Sequence, residues 1–129
     1  MKAVQVKEYG DLDKLQLIEI SEPVAGAGEV LVRIAYAGIN FIDIYMRSGV
    51  FHKLETYPNI PPFTLGMEGA GFVEAVGPGI TEFTKGDTVG YCLEVGSYAD
   101  FAVVPAWKLV KIPADIPLDV ATALQLQGM

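Results

Sequence analysis

GMEGAGFVEAVGPGITEFTKGDTVGY, from Gly66 to Tyr91, holds seven of the chain's 14 glycines in 26 residues. A flexible linker is also Gly-rich, but it is polar and featureless. Here Phe72, Val73, Val76, Ile80, Phe83 and Val89 stand between the glycines, a composition that suits a buried sheet. Glycine inside a strand weakens it and marks a bulge, a bend or the close approach of another backbone. Gly77-Pro78-Gly79 and Lys85-Gly86-Asp87 read as tight turns. The stretch therefore predicts a strongly bent β-ribbon. A dinucleotide-binding Gly-x-Gly-x-x-Gly loop must lie between a strand and a helix. The segment after Gly71 is strand-like, so these glycines are not that loop.

Working outward, Lys2–Glu8 and Leu15–Ile20 alternate as short strands, parted by a turn at Gly10-Asp11. Val30–Ala37 is the clearest strand, with Val32, Ile34 and Tyr36 on one face. Phe41–Met46 changes to helical spacing, and Ser48-Gly49 ends it. Lys53–Phe63 carries three prolines and reads as an irregular loop. Ser97–Val104 and Trp107–Ile112 are two further strands. Pro117 suits the first position of a helix that runs through Leu118–Gln127, with Gly128 as its cap. The end on Gln-Gly-Met, directly after an apolar helix, reads as a cut rather than a finish.

The 129 residues suffice for one domain, and 51% of them are hydrophobic. No apolar run is long enough to span a bilayer, so no membrane role is expected. No signal peptide opens the chain. The formal net charge is −7, and Arg33 and Arg47 are the only arginines, which argues against nucleic-acid binding. Cys92 is the single cysteine and excludes an intrachain disulfide. A reducing, cytoplasmic setting is the simplest reading.

Several motifs then fall in order. They are Gly38-Ile39-Asn40-Phe41-Ile42-Asp43, Tyr45-Met46-Arg47-Ser48-Gly49 and Pro62-Phe63 followed by Gly66-Met67-Glu68-Gly69-Ala70-Gly71. Val76-Gly77-Pro78-Gly79, Gly86-Asp87-Thr88-Val89 and Gly96-Ser97-Tyr98-Ala99 complete the series. Together they resemble the medium-chain dehydrogenase/reductase superfamily, and within it the zinc-free NADPH:quinone oxidoreductases. The resemblance implies a mainly β fold, a GroES-like, partly open β-barrel with short helices that serves as an N-terminal catalytic domain. It also implies a following Rossmann domain, which this chain lacks. NADPH is the implied cofactor, bound weakly or not at all by these residues alone. The implied partner is a small quinone or enone substrate, and a homo-oligomer is expected.

Zinc-dependent relatives place a Cys and a His where this chain has Asn40 and Met67. Amide and thioether groups are poor zinc ligands, so no metal site is expected. Without a metal, hydrogen-bond donors must polarise the substrate oxygen. Asn40 and Tyr45 are the candidates. Tyr45 donates from a phenol, and Asn40 can donate to an oxygen or hold the nicotinamide amide. Against this, turns favour Asn and cores accept Tyr. Asp43 is a third catalytic candidate, to orient Tyr45 or Arg47, or it caps the short helix. The resemblance places Asn40, Phe41, Tyr45, Gln127 and Met129 near the cofactor. Glu68, among glycines, needs a partner, and Arg47 is the expected one. Cys92 reads as a small buried hydrophobe and His52 as a loop residue near the substrate mouth. The competing reading is a non-catalytic GroES-like binding or assembly module. An enoyl reductase of the same superfamily is the nearer alternative.

Overall fold

The computed structural model describes residues 1–51 and 60–128. His52 and the first part of the expected proline-rich loop lie outside the described residues, as does Met129. Among the described residues, all strand pairings are antiparallel. One sheet has three strands in the order β2 (Leu15–Glu19), β1 (Lys2–Val6) and β4 (Phe63–Thr64). The larger sheet has the order β7 (Phe101–Pro105), β3 (Glu29–Ala37), β5 (Glu68–Val76), β6 (Thr88–Cys92) and β8 (Val110–Lys111). The segment before β7 links the sheets. Ala3 bridges to Ala99, and the Val4 N–H donates to the Tyr98 carbonyl at 2.8 Å. Helix α1 (Phe41–Ser48) follows β3, and α2 (Leu118–Gln127) lies against β5 and β6. The mainly β expectation with short helices holds.

The Gly-rich stretch is the bent ribbon that its sequence predicts. β5 and β6 pair from Glu68↔Cys92 to Phe72↔Thr88, and the turns at Pro78-Gly79 and Lys85-Gly86 lie between them. β5 also pairs with β3, with the register slipping at Leu31/Val32 and at Ile34/Tyr36. At the second slip a Cβ on Gly71 would collide with the Arg33 carbonyl oxygen. The glycine is what lets the two backbones come so close.

Two apolar cores result. Val30, Val32, Val73, Val89, Tyr91 and Val104 fill the larger sheet. Val6, Met46, Leu65 and Met67 form the second, under α1.

Several expected elements come out differently. The bulge beside Ile34 breaks the alternation of β3, and Tyr36 is half-exposed instead of sharing a core face. Ser97–Val104 is strand only from Phe101, because the preceding residues cross to the edge of β1. Trp107–Ile112 opens as a turn of 3-10 helix, Ala106–Lys108, that throws Trp107 into solvent. Only Val110–Lys111 pairs there, with β6. Phe63, the last residue of the expected loop, instead opens the short strand Phe63–Thr64 on β1. α2 starts at Leu118, with Pro117 as its N-cap instead of its first residue.

Candidate active site

α1 starts where β3 ends, and Asn40 is the hinge residue. Its extended backbone (φ −132°, ψ 157°) makes it the N-cap. Its N–H donates to Asp43 Oδ2 at 3.0 Å, so Asp43 reaches back from the first turn in the manner of a capping box. Gly49 ends the helix in the left-handed region. The capping alternative for Asp43 is therefore what the fold uses. Oδ2 also accepts from the Tyr98 hydroxyl at 2.6 Å. Its hydrogen bonds go to Asn40 and Tyr98, not to Tyr45 or Arg47. Burial pushes the Asp43 carboxyl above its ordinary value. The Tyr98 and Asn40 hydrogen bonds act against that rise, and nearby Glu68 adds to it. The Tyr98 phenol is pushed well up, by burial first and by its bond to Asp43 second.

With its backbone committed to the cap, the Asn40 side chain is free for other partners. Nδ2 donates to Glu68 Oε1 at 2.9 Å, and Oδ1 accepts from Gln127 Nε2 at 3.0 Å. Glu68 Oε2 accepts the Leu126 N–H at 2.6 Å. The buried Glu68 thus ties the start of α1 to the end of α2. The expected Arg47 partner is wrong: Arg47 Nε donates to the Gly10 carbonyl at 3.1 Å and pins the β1–β2 turn. The helix carries Arg47 toward the first hairpin, away from β5.

Ile39, Asn40, Phe41, Ile44 and Gln127 line an open recess of about 350 Å³. Three residues expected near a cofactor, Asn40, Phe41 and Gln127, therefore meet in one place. Tyr45 is not among the lining residues. It is half-exposed, and its ring meets Phe51 edge-on at 5.6 Å. Met67 is buried in the smaller core. Cys92 is buried, and burial pushes its thiol up. Among the described residues, no three His, Cys, Asp or Glu side chains cluster as metal ligands would.

The recess has the chemistry to hold a flat ring that carries an amide. It offers two side-chain amides against an apolar wall. A pyrophosphate needs the N–H groups of a Gly-rich loop at a helix N-terminus. The described residues hold no parallel strand unit that would supply one. Sequence reasoning missed Tyr98 and the true partners of Glu68. The Gly66-x-Glu68-Gly69 spacing was the available signal: a carboxyl among glycines is one for which space has been cleared.

The family model "Alcohol dehydrogenase GroES-like domain" matches residues 26–114. A 2-haloacrylate reductase of Burkholderia sp. is 38% identical over 98% of this chain. A quinone oxidoreductase of Pseudomonas aeruginosa is 39% identical over 99% of it. The chain spans only 38% of the length of either relative. The crystal structure of Escherichia coli quinone oxidoreductase complexed with NADPH superimposes with a TM-score of 0.89 at 32% identity, over 99% of this chain and 38% of that one. The chain therefore belongs to the alcohol dehydrogenase GroES-like domain family, and its relatives within the medium-chain dehydrogenases/reductases include quinone oxidoreductases and a 2-haloacrylate reductase.

Proposed function

We propose that these residues are the N-terminal catalytic part of a two-domain, zinc-independent, NADPH-dependent oxidoreductase that reduces a quinone or an α,β-unsaturated carbonyl. The observation that carries this reading is the Asn40 amide, held from both ends by Glu68 and Gln127 at the mouth of an apolar recess. NADPH, when bound, supplies a hydride; with one proton this converts a quinone to its hydroquinone and leaves NADP⁺. The chain's own residues position and polarise. Phe41, Ile39 and Ile44 give the recess an apolar face. The second N–H of Asn40 is the donor available to the carboxamide oxygen of the nicotinamide. Tyr45, half-exposed on the same helix, is the further donor, reached by substrate outside the recess. A homo-oligomer in a reducing, cytoplasmic setting is the accompanying proposal.

The test uses the intact gene product. Added benzoquinone or a conjugated enone is expected to drive NADPH consumption that a strong chelator leaves unchanged. Elemental analysis is expected to find no stoichiometric zinc. No consumption with either acceptor class would favour the non-catalytic module. Loss of turnover together with one zinc per chain on chelation would overturn the metal-free mechanism.

A further inference from the structure

Glu68 is costly to keep where it is. Its side chain is 2% exposed. It sits beside the last turn of α2, at the negative end of the helix dipole, where an acidic group is disfavoured. It also adds to the forces that raise Asp43. The fold nevertheless clears room for it: a Cβ on Gly38 would collide with Glu68 Oε1. Stability alone does not account for this arrangement.

We infer that Glu68 is a positioning residue that sets the polarity of the recess by fixing which way round the Asn40 and Gln127 amides lie. This rests on the nucleotide-binding reading above. The steps are donor and acceptor logic. The Leu126 N–H is a backbone donor and takes Glu68 Oε2. Oε1 accepts, so Asn40 turns its NH2 toward it. Asn40 Oδ1 is then left for Gln127, which must present its own NH2. Two groups of opposite sense remain unclaimed: one N–H of Asn40 and the carbonyl of Gln127. A carboxamide is their complement. Its oxygen accepts from Asn40 and its NH2 donates to Gln127.

Glu68→Gln tests the chain of dependence because it changes polarity and almost no volume. The Leu126 N–H still demands an acceptor, so the new amide turns its NH2 toward Asn40. Asn40 then turns over, and Gln127 after it, and the Gln127 carbonyl is no longer free. Binding of NADPH and of the reduced acetylpyridine analogue, which lacks the carboxamide NH2, is measured by fluorescence titration on the intact gene product. Wild type is expected to favour NADPH by roughly tenfold. In Glu68→Gln that ratio falls toward one, whereas a merely structural loss would weaken both ligands alike. Gln127→Leu, at the exposed end of α2, removes the same acceptor and the donor to Asn40 Oδ1 but leaves both hydrogen bonds of Glu68 in place, and should give the same loss of preference. Amide NMR adds a readout free of ligand: the Asn40 side-chain NH2 signals shift in Glu68→Gln. A wild-type ratio retained in Glu68→Gln, or in Gln127→Leu should the first variant fail to fold, overturns the positioning role alone. Failure of the wild type to bind NADPH overturns the proposed function and the carboxamide assignment with it.

Discussion

Asn40 makes four separate hydrogen bonds, in one of which the Asp43 N–H donates to the Asn40 backbone carbonyl at 3.0 Å. Its N–H meets Asp43, its amide nitrogen meets Glu68 and its amide oxygen meets Gln127. Truncation to Ala removes the last two at once. Leaving a buried acceptor on Glu68 unpaired costs about 1–3 kcal/mol of stability. Losing the hydrogen bond that orients the nicotinamide misplaces the reacting atoms, and a misplacement of about 1 Å can cost about 10²-fold in rate. Asn40→Ala in the intact enzyme is therefore expected to lower kcat/KM by that factor and to lower Tm modestly. Tyr45 behaves differently. Among the described residues its hydroxyl has no hydrogen-bond partner, and its ring contact with Phe51 survives in Phe. Tyr45→Phe should leave stability within ~0.5 kcal/mol. Its rate loss should stay within roughly tenfold, below that of Asn40→Ala, because Tyr45 lies outside the recess. Met67→Leu is the scaffold control, a near-isosteric swap in the smaller core that costs less than about 1.5 kcal/mol. Wild-type turnover in Asn40→Ala would remove Asn40 from the active site.

At the scale of elements, the β3–β5 pair carries the fold. It joins both halves of the larger sheet and delivers Asn40 from one end of β3 and Glu68 from the start of β5. The second register slip lies close to both residues, at Gly71 and Arg33. A methyl group at Gly71 must push the Arg33 carbonyl away, and backbone cannot move aside as a flexible side-chain tip does. Gly71→Ala should destabilise by about 2–3 kcal/mol, in line with overpacking a tight contact. Urea unfolding should show a lower midpoint with an unchanged slope. A midpoint equal to wild type would mean that the slip is not where the strands make their closest approach. The same element explains a failed expectation. Alternation placed Tyr36 with Val32 and Ile34, but a bulge is a tertiary decision between two strands, and no single strand announces it.

For the whole molecule, one side of the recess remains uncovered. Ile39 is 87% exposed and Phe41 is 74% exposed, and Leu124 on α2 is also in the open. Apolar groups held outward together mark a surface that functions when covered. The 129-residue chain by itself is expected to self-associate in sedimentation and to bind NADPH too weakly to saturate at millimolar concentration. It offers the carboxamide end of the nucleotide a site but the pyrophosphate none. A monodisperse monomer with micromolar NADPH affinity in titration calorimetry would contradict both expectations.

The sequence by itself determined the local and patterned features. These are the bent Gly-rich ribbon, the strand-to-helix change at Asn40, the closing helix, and the likeness carried by motifs in order. Each depends on periodicity or on turn chemistry, which neighbours in the chain impose on one another. It also named Asn40, Phe41 and Gln127 separately. Only the tertiary structure decided that these three meet, that Tyr45 stands apart from them, that Asp43 belongs to Tyr98, and that Glu68 holds Asn40 and not Arg47. Glu68 and Asn40 lie 28 residues apart, and Asn40 and Gln127 lie 87 apart. Partnerships over such separations are set by how sheet and helices pack. A buried carboxyl advertises its need for a donor in the sequence, but the fold chooses which donor arrives.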